Sequence, residues 1–451
     1  MLANSFMPLL VGLGWLSLML LVGVVLRAKI RFFQKYLFPA SLIGGIIGFV
    51  VINAGWCTSD YNIFTLIAFH LFGLGFISIG LTGSDSKGST PKSIFRGSLW
   101  LALIYIFSLS FQSMIGASIL GGFNQFMEPL YQGIGSLVGA GFAQGPGQTV
   151  AVAAVWEGSY KIPHAVSIGL SFAAFGFFVA ALVGVPLANW GVRKGLTAHA
   201  PKDLPHEFQV GLFKSGQGSQ IGKQTTHSAN VDTFAFQLAL VFAIYFLTYL
   251  ECNIMLTIFP KVLHAMTHGF AFFYGMVNAM IIRAIMRKLN IDHLIDNNVQ
   301  RRVTGSTVDF MIVATMMAVQ LTVVWAFIIP ILTIVVTVSA VTLLYVLYFS
   351  RRSGFEKYGF ERALAIFGNV TGTVASGLLL LRIVDPDFES PVATEMGISG
   401  MLALIFGLHI AFVAYPQPAI GMQKWYIVLA ATAVVMLVLL KVFGFWKKKA
   451  W

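Results

Sequence analysis

Two glycine-rich segments of this 451-residue chain carry uncharged, oxygen-bearing side chains suited to binding a small ion. Residues 133–157 hold glutamines and a threonine around a Gly-Pro-Gly sequence, and residues 363–384 hold an asparagine, threonines and a serine among glycines. Glycine and proline interrupt the helical hydrogen-bond ladder, so open N–H groups attract an anion and open carbonyls surround a small cation. The predicted substrate- and ion-binding residues are Gln144, Gly145, Pro146, Gly147, Gln148, Thr149, Asn369, Thr371, Gly372, Thr373, Ser376 and Arg382.

The composition predicts that these segments belong to a membrane protein. Hydrophobic residues make up 57% of the chain and charged residues only 10%, with a mean hydropathy of +0.82; soluble chains are about a quarter charged. The excess of 29 lysines and arginines over 17 acidic residues is typical of cytoplasmic loops, so the lipid bilayer is the predicted partner and nucleic acid is excluded. The predicted plain spans are residues 7–26, 36–56, 62–82, 94–120, 164–190, 233–257, 268–287, 308–329, 331–349, 392–414 and 425–443.

The positions of the basic residues predict the orientation of these spans. We treat the two glycine-rich segments as re-entrant hairpins and let the plain spans alternate from an outside N-terminus. This arrangement places 26 of the 29 basic residues inside and leaves only Lys161, Lys261 and Lys424 outside. A full span at either hairpin would mix the two sets, so we predict an outside N-terminus and an inside C-terminus.

The predicted fold is an all-α polytopic membrane protein with an inverted-topology repeat of two five-span halves. Each half has four spans, a re-entrant hairpin and a fifth span, and the second half runs in the opposite direction. The predicted boundaries are 1–195 for the first repeat, with an outside-entering hairpin near 133–157; 196–231 for a cytoplasmic linker; 232–415 for the second repeat, with an inside-entering hairpin near 363–384; and 416–451 for an extra C-terminal span and basic tail.

Inverted repeats with helix breaks at matching positions indicate a secondary transporter, whose sites lie near the midplane where the halves meet. Glycines also serve close helix packing, but two clusters in equivalent positions favour a binding role. An ion or solute channel and a proton-coupled organic anion carrier stay open as alternatives. We find no cluster of nucleophile and base at depth, so the sequence predicts no enzyme and no catalytic residue.

Few carboxylates are expected inside the plain spans, which bears on the coupling ion. Glu251 lies near an outer end of its span, and Asp232 and Asp309 are expected at cytoplasmic mouths. Proton-driven carriers usually bury titrating relays at mid-membrane, whereas Na⁺ needs none. The sequence therefore predicts Na⁺ as the coupling ion and no covalent cofactor. The candidate sodium ligands are Thr149, Asn369 and Thr373.

Arg382 is the only basic residue on an arm of either predicted hairpin. Its guanidinium is suited to a bidentate contact with a substrate carboxylate. Asp385 follows three residues later, so a local ion pair that ends the arm is the alternative role.

At its two hairpins the chain resembles the glutamate:sodium symporter family of bacteria. The resemblance lies in residues 135–149 (Gly-Ser-Leu-Val-Gly-Ala-Gly-Phe-Ala-Gln-Gly-Pro-Gly-Gln-Thr), residues 173–184 with the proline that follows at 186, and residues 38–45 (Phe-Pro-Ala-Ser-Leu-Ile-Gly-Gly). The chain departs from the family pattern at both hairpins. Residues 144–147 read Gln-Gly-Pro-Gly where the family typically has Gly-Gly-His-Gly, and residues 372–377 replace a glycine-richer sequence around a Thr-Pro pair.

The resemblance implies two inverted five-span halves with re-entrant loops, an elevator-like movement and a homodimer in the bacterial cytoplasmic (inner) membrane. It also implies sodium-coupled uptake of an acidic amino acid. The predicted substrate is therefore a small anionic amino acid or other carboxylate-bearing solute that is similar to glutamate.

Overall fold

A computed structural model of the chain describes residues 2–35, 38–82, 91–199, 206–213, 222–258, 267, 271–355, 357–385 and 390–447. Regular secondary structure in these ranges is helical throughout, which confirms the predicted all-α class. The long helices are α1 (Leu2–Lys29), α2 (Ala40–Asn53), α3 (Tyr61–Leu81), α4 (Pro91–Phe123), α5 (Gly145–Tyr160), α6 (Ala165–Arg193), α7 (Thr233–Ile258), α8 (Ala271–Lys288), α9 (Asn297–Met317), α10 (Ile328–Arg352), α11 (Gly359–Val384), α12 (Val392–Ala414) and α13 (Met422–Val442).

Short helical turns connect several of these helices. Their bounds are Arg31–Lys35, Gln132–Ser136, Leu137–Gly139, Ala140–Gln144, His206–Val210, Asp292–Leu294, Leu321–Ala326 and Gln417–Ile420. The predicted linker 196–231 lies partly outside the described residues, as do the basic residues expected at 87, 261 and 448–449.

Seven helices in the described part of the chain are long and apolar enough to cross a membrane. They are Met7–Lys29 within α1, α3, Lys92–Phe123 within α4, α6, α7, α10 and α13. The α2 helix is also apolar but has only 14 residues. These helices support an integral membrane protein, whereas the count of eleven plain spans stays a prediction.

The span predicted at 308–329 differs from the helix that forms there. The Asp296 side chain accepts a hydrogen bond from the Val299 backbone N–H (2.8 Å), and this cap starts α9 at residue 297. The helix ends at Met317, and Leu321–Ala326 forms a separate turn before α10. Asp309 therefore lies more than three turns from the start of α9. Its location at a cytoplasmic mouth stays a prediction.

The helices pack in two groups. In the first group, α3 packs against α8 and α9, α2 packs against α1 and α9, and α7 packs against α8. In the second, α4 packs against α12, α13 and α10, while α11 packs against α6 and α10. The first glycine-rich segment packs against α4 and α6. Both groups contribute residues to one large cavity, and the interrupted segments reach it from the second group.

Candidate functional site

The first glycine-rich segment is interrupted at the start of α5. The chain passes through the short turn Ala140–Gln144 and then adopts φ 79° and ψ −170° at Gly145. This backbone region is essentially restricted to glycine because a Cβ atom would clash with the local backbone. Pro146 follows in the first turn of α5, where its missing N–H removes no intrahelical bond.

The second glycine-rich segment reverses direction inside α11. Gly372 (φ −149°, ψ 30°) and Thr373 (φ 77°, ψ 171°) leave the helical conformation. A Cβ atom placed on Gly368 would lie 2.7 Å from the Cα of Gly377. Residues nine apart in a continuous helix would be separated by about 13.5 Å, so the two arms fold back on each other. The absence of side chains at these two glycines lets the backbones touch.

The two interruptions meet tip to tip. A Cβ atom on Gly145 would lie 2.5 Å from Thr373 Cγ2. Both residues have nearly the same backbone angles, although Thr373 is a β-branched residue in a region that only glycine visits readily. Such a conformation costs about 1–3 kcal/mol and persists only where the surrounding structure imposes it. We define Gly145 and Thr373 as the tip residues.

A cavity of about 1360 Å³ lies beside the tips. Half of the predicted site residues line it, namely Gln144, Gln148, Asn369, Thr373, Ser376 and Arg382. The other half do not line it, namely Gly145, Pro146, Gly147, Thr149, Thr371 and Gly372.

Two of the predicted site hydroxyls donate a hydrogen bond to a backbone carbonyl of their own helix. Thr149 Oγ1 donates to the Gly145 carbonyl (2.7 Å), and Thr371 Oγ1 donates to the Phe367 carbonyl (2.7 Å). Ser376 Oγ similarly donates to the Gly372 carbonyl (2.5 Å), but it also faces the cavity. Each of these hydroxyls keeps its oxygen lone pairs after donating, and of the three only Ser376 lines the cavity.

Two buried amide oxygens of the cavity wall accept no hydrogen bond from the described residues. They are Oε1 of Gln148 and Oδ1 of Asn369, whose residues are only 2% and 4% exposed. Gln148 Nε2 donates to the Tyr415 hydroxyl (3.2 Å), which orients its Oε1. A buried acceptor without a donor costs about 1–3 kcal/mol. A cation is one partner that such oxygens accept, so each of the two atoms is a candidate ligand.

The charged part of the cavity wall is mainly basic. Arg382 is exposed and lines the cavity together with Arg283, Arg287 and Arg301. Arg283 donates to Asn297 Oδ1 (2.9 Å) and also bonds to the Leu81 carbonyl, so its head group is fixed by the first helix group. Excess positive charge in a cleft raises the local concentration of anions.

Sequence reasoning missed Asp309 as a cavity residue. It lines the cavity with Thr304 and Thr307 of the same helix. Hydropathy predicts the start of this span at residue 308, so the polar residues before it are not assigned to the same helix.

The sequence analysis also overlooked a carboxylate inside a plain span. Glu395 lies in the first turn of α12 and is fully buried. Its Oε2 and Oε1 accept from Arg362 Nε (2.7 Å) and Nη2 (2.6 Å). The Arg362 guanidinium also stacks 4.0 Å from the centre of the Phe355 ring. This bidentate pair fixes the start of α11 against α12 and engages the carboxylate as an ion-pair partner.

Comparison with known proteins identifies the family. The profile of a family described as sodium/glutamate symporter matches residues 9–359. The chain belongs to this family. The match ends where α11 begins, so it includes the first tip and stops before the second.

Two curated relatives carry the name sodium/glutamate symporter, one from Escherichia coli (strain K12) and one from Shigella flexneri. Each is 24% identical over 231 residues, which cover 49% of this chain and 52% of the relative. The chain thus spans about half the length of the curated relatives it matches. No solved structure matches the chain.

Membership of the sodium/glutamate symporter family has two direct consequences. The family is described as sodium/glutamate symporter, which makes transport the activity to propose for this chain. Together with the seven apolar helices, it makes the chain an integral membrane protein. The family predicted from the resemblance is therefore confirmed.

Proposed function

We propose that the chain is a sodium-coupled symporter for a small anionic amino acid, glutamate or a close analogue. The observation that carries the proposal is the meeting of two interrupted helices at a cavity with unpaired buried oxygens. Secondary transporters use such breaks to coordinate ions and anionic substrate groups. The relatives named sodium/glutamate symporter supply the substrate and ion classes.

In this proposal the cation and the anion occupy neighbouring parts of the cavity. Gln148 Oε1 and Asn369 Oδ1 replace water around Na⁺, with the Thr373 hydroxyl as a third ligand. Arg382 binds a substrate carboxylate through its guanidinium fork. A bound Na⁺ near the substrate carboxylate lowers the electrostatic cost of burying either charge alone, and this mutual attraction couples the two fluxes.

We further propose an inverted repeat whose hairpins re-enter the membrane. Gly145 and Thr373 are the equivalent tips, and they precede the next long helices by similar distances, 20 residues to Ala165 and 19 to Val392. The proposed orientation has the N-terminus outside and the C-terminus inside the bacterial cytoplasmic membrane. The homodimer also stays a prediction.

A native cysteine tests the proposed orientation. Cys57 lies between α2 and α3 and is partly exposed, whereas Cys252 is buried. We expect a membrane-impermeant maleimide to label Cys57 from outside intact cells. In a Cys57→Ser background, Lys357→Cys should be labelled only in inverted vesicles, because the proposed topology has the residues that follow α10 inside. Labelling of Cys57 only in inverted vesicles would reverse the topology.

Uptake into proteoliposomes tests the proposed function. Purified protein is reconstituted, and radioactive glutamate is supplied under an inward gradient of Na⁺, K⁺ or protons. We expect saturable accumulation above the external concentration under the Na⁺ gradient alone. Non-saturating flux without counterflow would indicate a channel. Accumulation driven only by protons would indicate the proton-coupled carrier, and transport of no carboxylate would reject the proposal.

Asn369 provides a specific test of the sodium site. We expect Asn369→Ala to raise the Na⁺ concentration for half-maximal uptake about 10- to 100-fold, because one buried oxygen ligand is lost. The measurement is initial glutamate uptake against Na⁺ concentration at constant ionic strength. Asn298→Ala is the control, since Asn298 is exposed at the start of α9. An unchanged Na⁺ dependence in Asn369→Ala would remove this residue from the site.

A further inference from the structure

The cavity contains one acidic side chain among many basic ones. Asp309 is the only carboxylate among the described residues that line it, and Arg283, Arg287, Arg301 and Arg382 line the same space. The residue is exposed, and the surface it exposes opens onto the cavity. In a site for a simple anion, a carboxylate would repel the ligand. The presence of this carboxylate therefore restricts which anion the cavity suits.

Asp309 and Arg382 reach the cavity from different helix groups. Asp309 lies on α9 of the first group, and Arg382 lies on the second arm of the α11 hairpin. The two side chains are close enough for their charges to attract each other. Asp309 also interacts with the Arg27 charge and with the Ser41 hydroxyl. One negative and one positive group thus face a shared space of about 1360 Å³.

We propose that Asp309 binds the α-ammonium group of the substrate while Arg382 binds a carboxylate. This inference rests on the proposed function and specifies its substrate class. An amino acid carries an ammonium group and a carboxylate on the same carbon atom. It therefore pairs with Asp309 and Arg382 at the same time. A dicarboxylate without an amino group binds Arg382 but offers no positive group to Asp309. Asp309 is therefore a residue that determines specificity for amino acids over simple dicarboxylates.

The test compares glutamate with glutarate, which has the same two carboxylates and no amino group. In the wild-type protein we expect glutarate to compete with glutamate uptake at least about tenfold more weakly than unlabelled glutamate. Asp309→Asn should raise the KM for glutamate about 10- to 100-fold and leave that for glutarate unchanged or lower. Retained glutarate transport also shows that the variant is folded. Glu128→Gln removes a charge from an exposed residue that does not line the cavity and should change neither KM.

Several results would overturn the inference. Equal competition by glutarate and glutamate in the wild-type protein would do so even if Asp309→Asn fails to fold. A similar rise in KM for both substrates would instead assign Asp309 to holding Arg27 or Arg382 in place. If the wild-type protein transports neither compound under a Na⁺ gradient, the proposed function itself fails, and this outcome differs from both of the others.

Discussion

Gly145→Val is expected to reduce sodium-driven uptake to about 1% of the wild-type rate or less. Valine at this tip would have φ near 79° and ψ near −170°, a conformation that costs a β-branched residue about 1–3 kcal/mol. Its Cβ would also lie 2.5 Å from Thr373 Cγ2, so one tip must move. A shift of the tips displaces the oxygens of Gln148 and Asn369, and each 1.36 kcal/mol lost from the transport step is a tenfold loss in rate.

Two further variants separate the tip contact from general damage to α5. Gly158→Val changes an exposed glycine of the same helix that has open space around it, so uptake should stay near wild type. Gly145→Ala retains the Cβ clash, and Thr373→Ser removes the opposing Cγ2 while keeping the hydroxyl. The double variant should therefore transport better than Gly145→Ala alone. Wild-type uptake by Gly145→Val at normal expression would contradict the assignment of the tips.

The second large effect is expected at the buried pair of Arg362 and Glu395. Arg362→Met or Glu395→Met alone should lower the free energy of unfolding by about 3–5 kcal/mol, because one charge remains buried without its partner. The double variant should cost less than either single variant, since it leaves no unpaired charge. The measurement is denaturant or thermal unfolding of the purified protein in one detergent.

A surface pair provides the control for this prediction. Asp292→Asn removes the contact to Arg287, whose side chain is 68% exposed, and should change stability by about 1 kcal/mol or less. A double variant as unstable as the sum of the two single variants would show that Arg362 and Glu395 act independently. That outcome would remove the pair as the anchor between α11 and α12.

The sequence predicted the tips because glycine and proline act locally. Gly145 and Pro146 mark a break that backbone sterics impose in any context, and the cluster around Gly372 marks the second. The conformation of Thr373 was beyond reach from sequence, since a β-branched residue is the least expected at a positive φ. It follows from the packing of the second tip against Gly145, which joins residues more than 200 positions apart in the sequence.

The features that the sequence does not reveal depend on long-range contacts or on a distant helix start. Hydropathy predicts the span around Asp309 to start at residue 308, although α9 begins at Asn297, because the first turns of this helix are polar. The burial of Glu395 could not be predicted because the ion-pair partner that makes it favourable, Arg362, lies 33 residues earlier. Thr149 stays a predicted sodium ligand, and the sequence does not show that its hydroxyl donates one turn back to Gly145. Such choices between local and distant partners require the fold.

In the proposed mechanism sodium and substrate bind together where the two tips meet, so each should strengthen the binding of the other. The most direct measurement is the Kd of purified protein for glutamate as Na⁺ replaces choline at constant ionic strength. We predict that Kd falls roughly tenfold or more as Na⁺ rises, and that Asn369→Ala shifts this fall to higher Na⁺. A Kd that is the same in sodium and in choline would show that sodium and glutamate do not bind together.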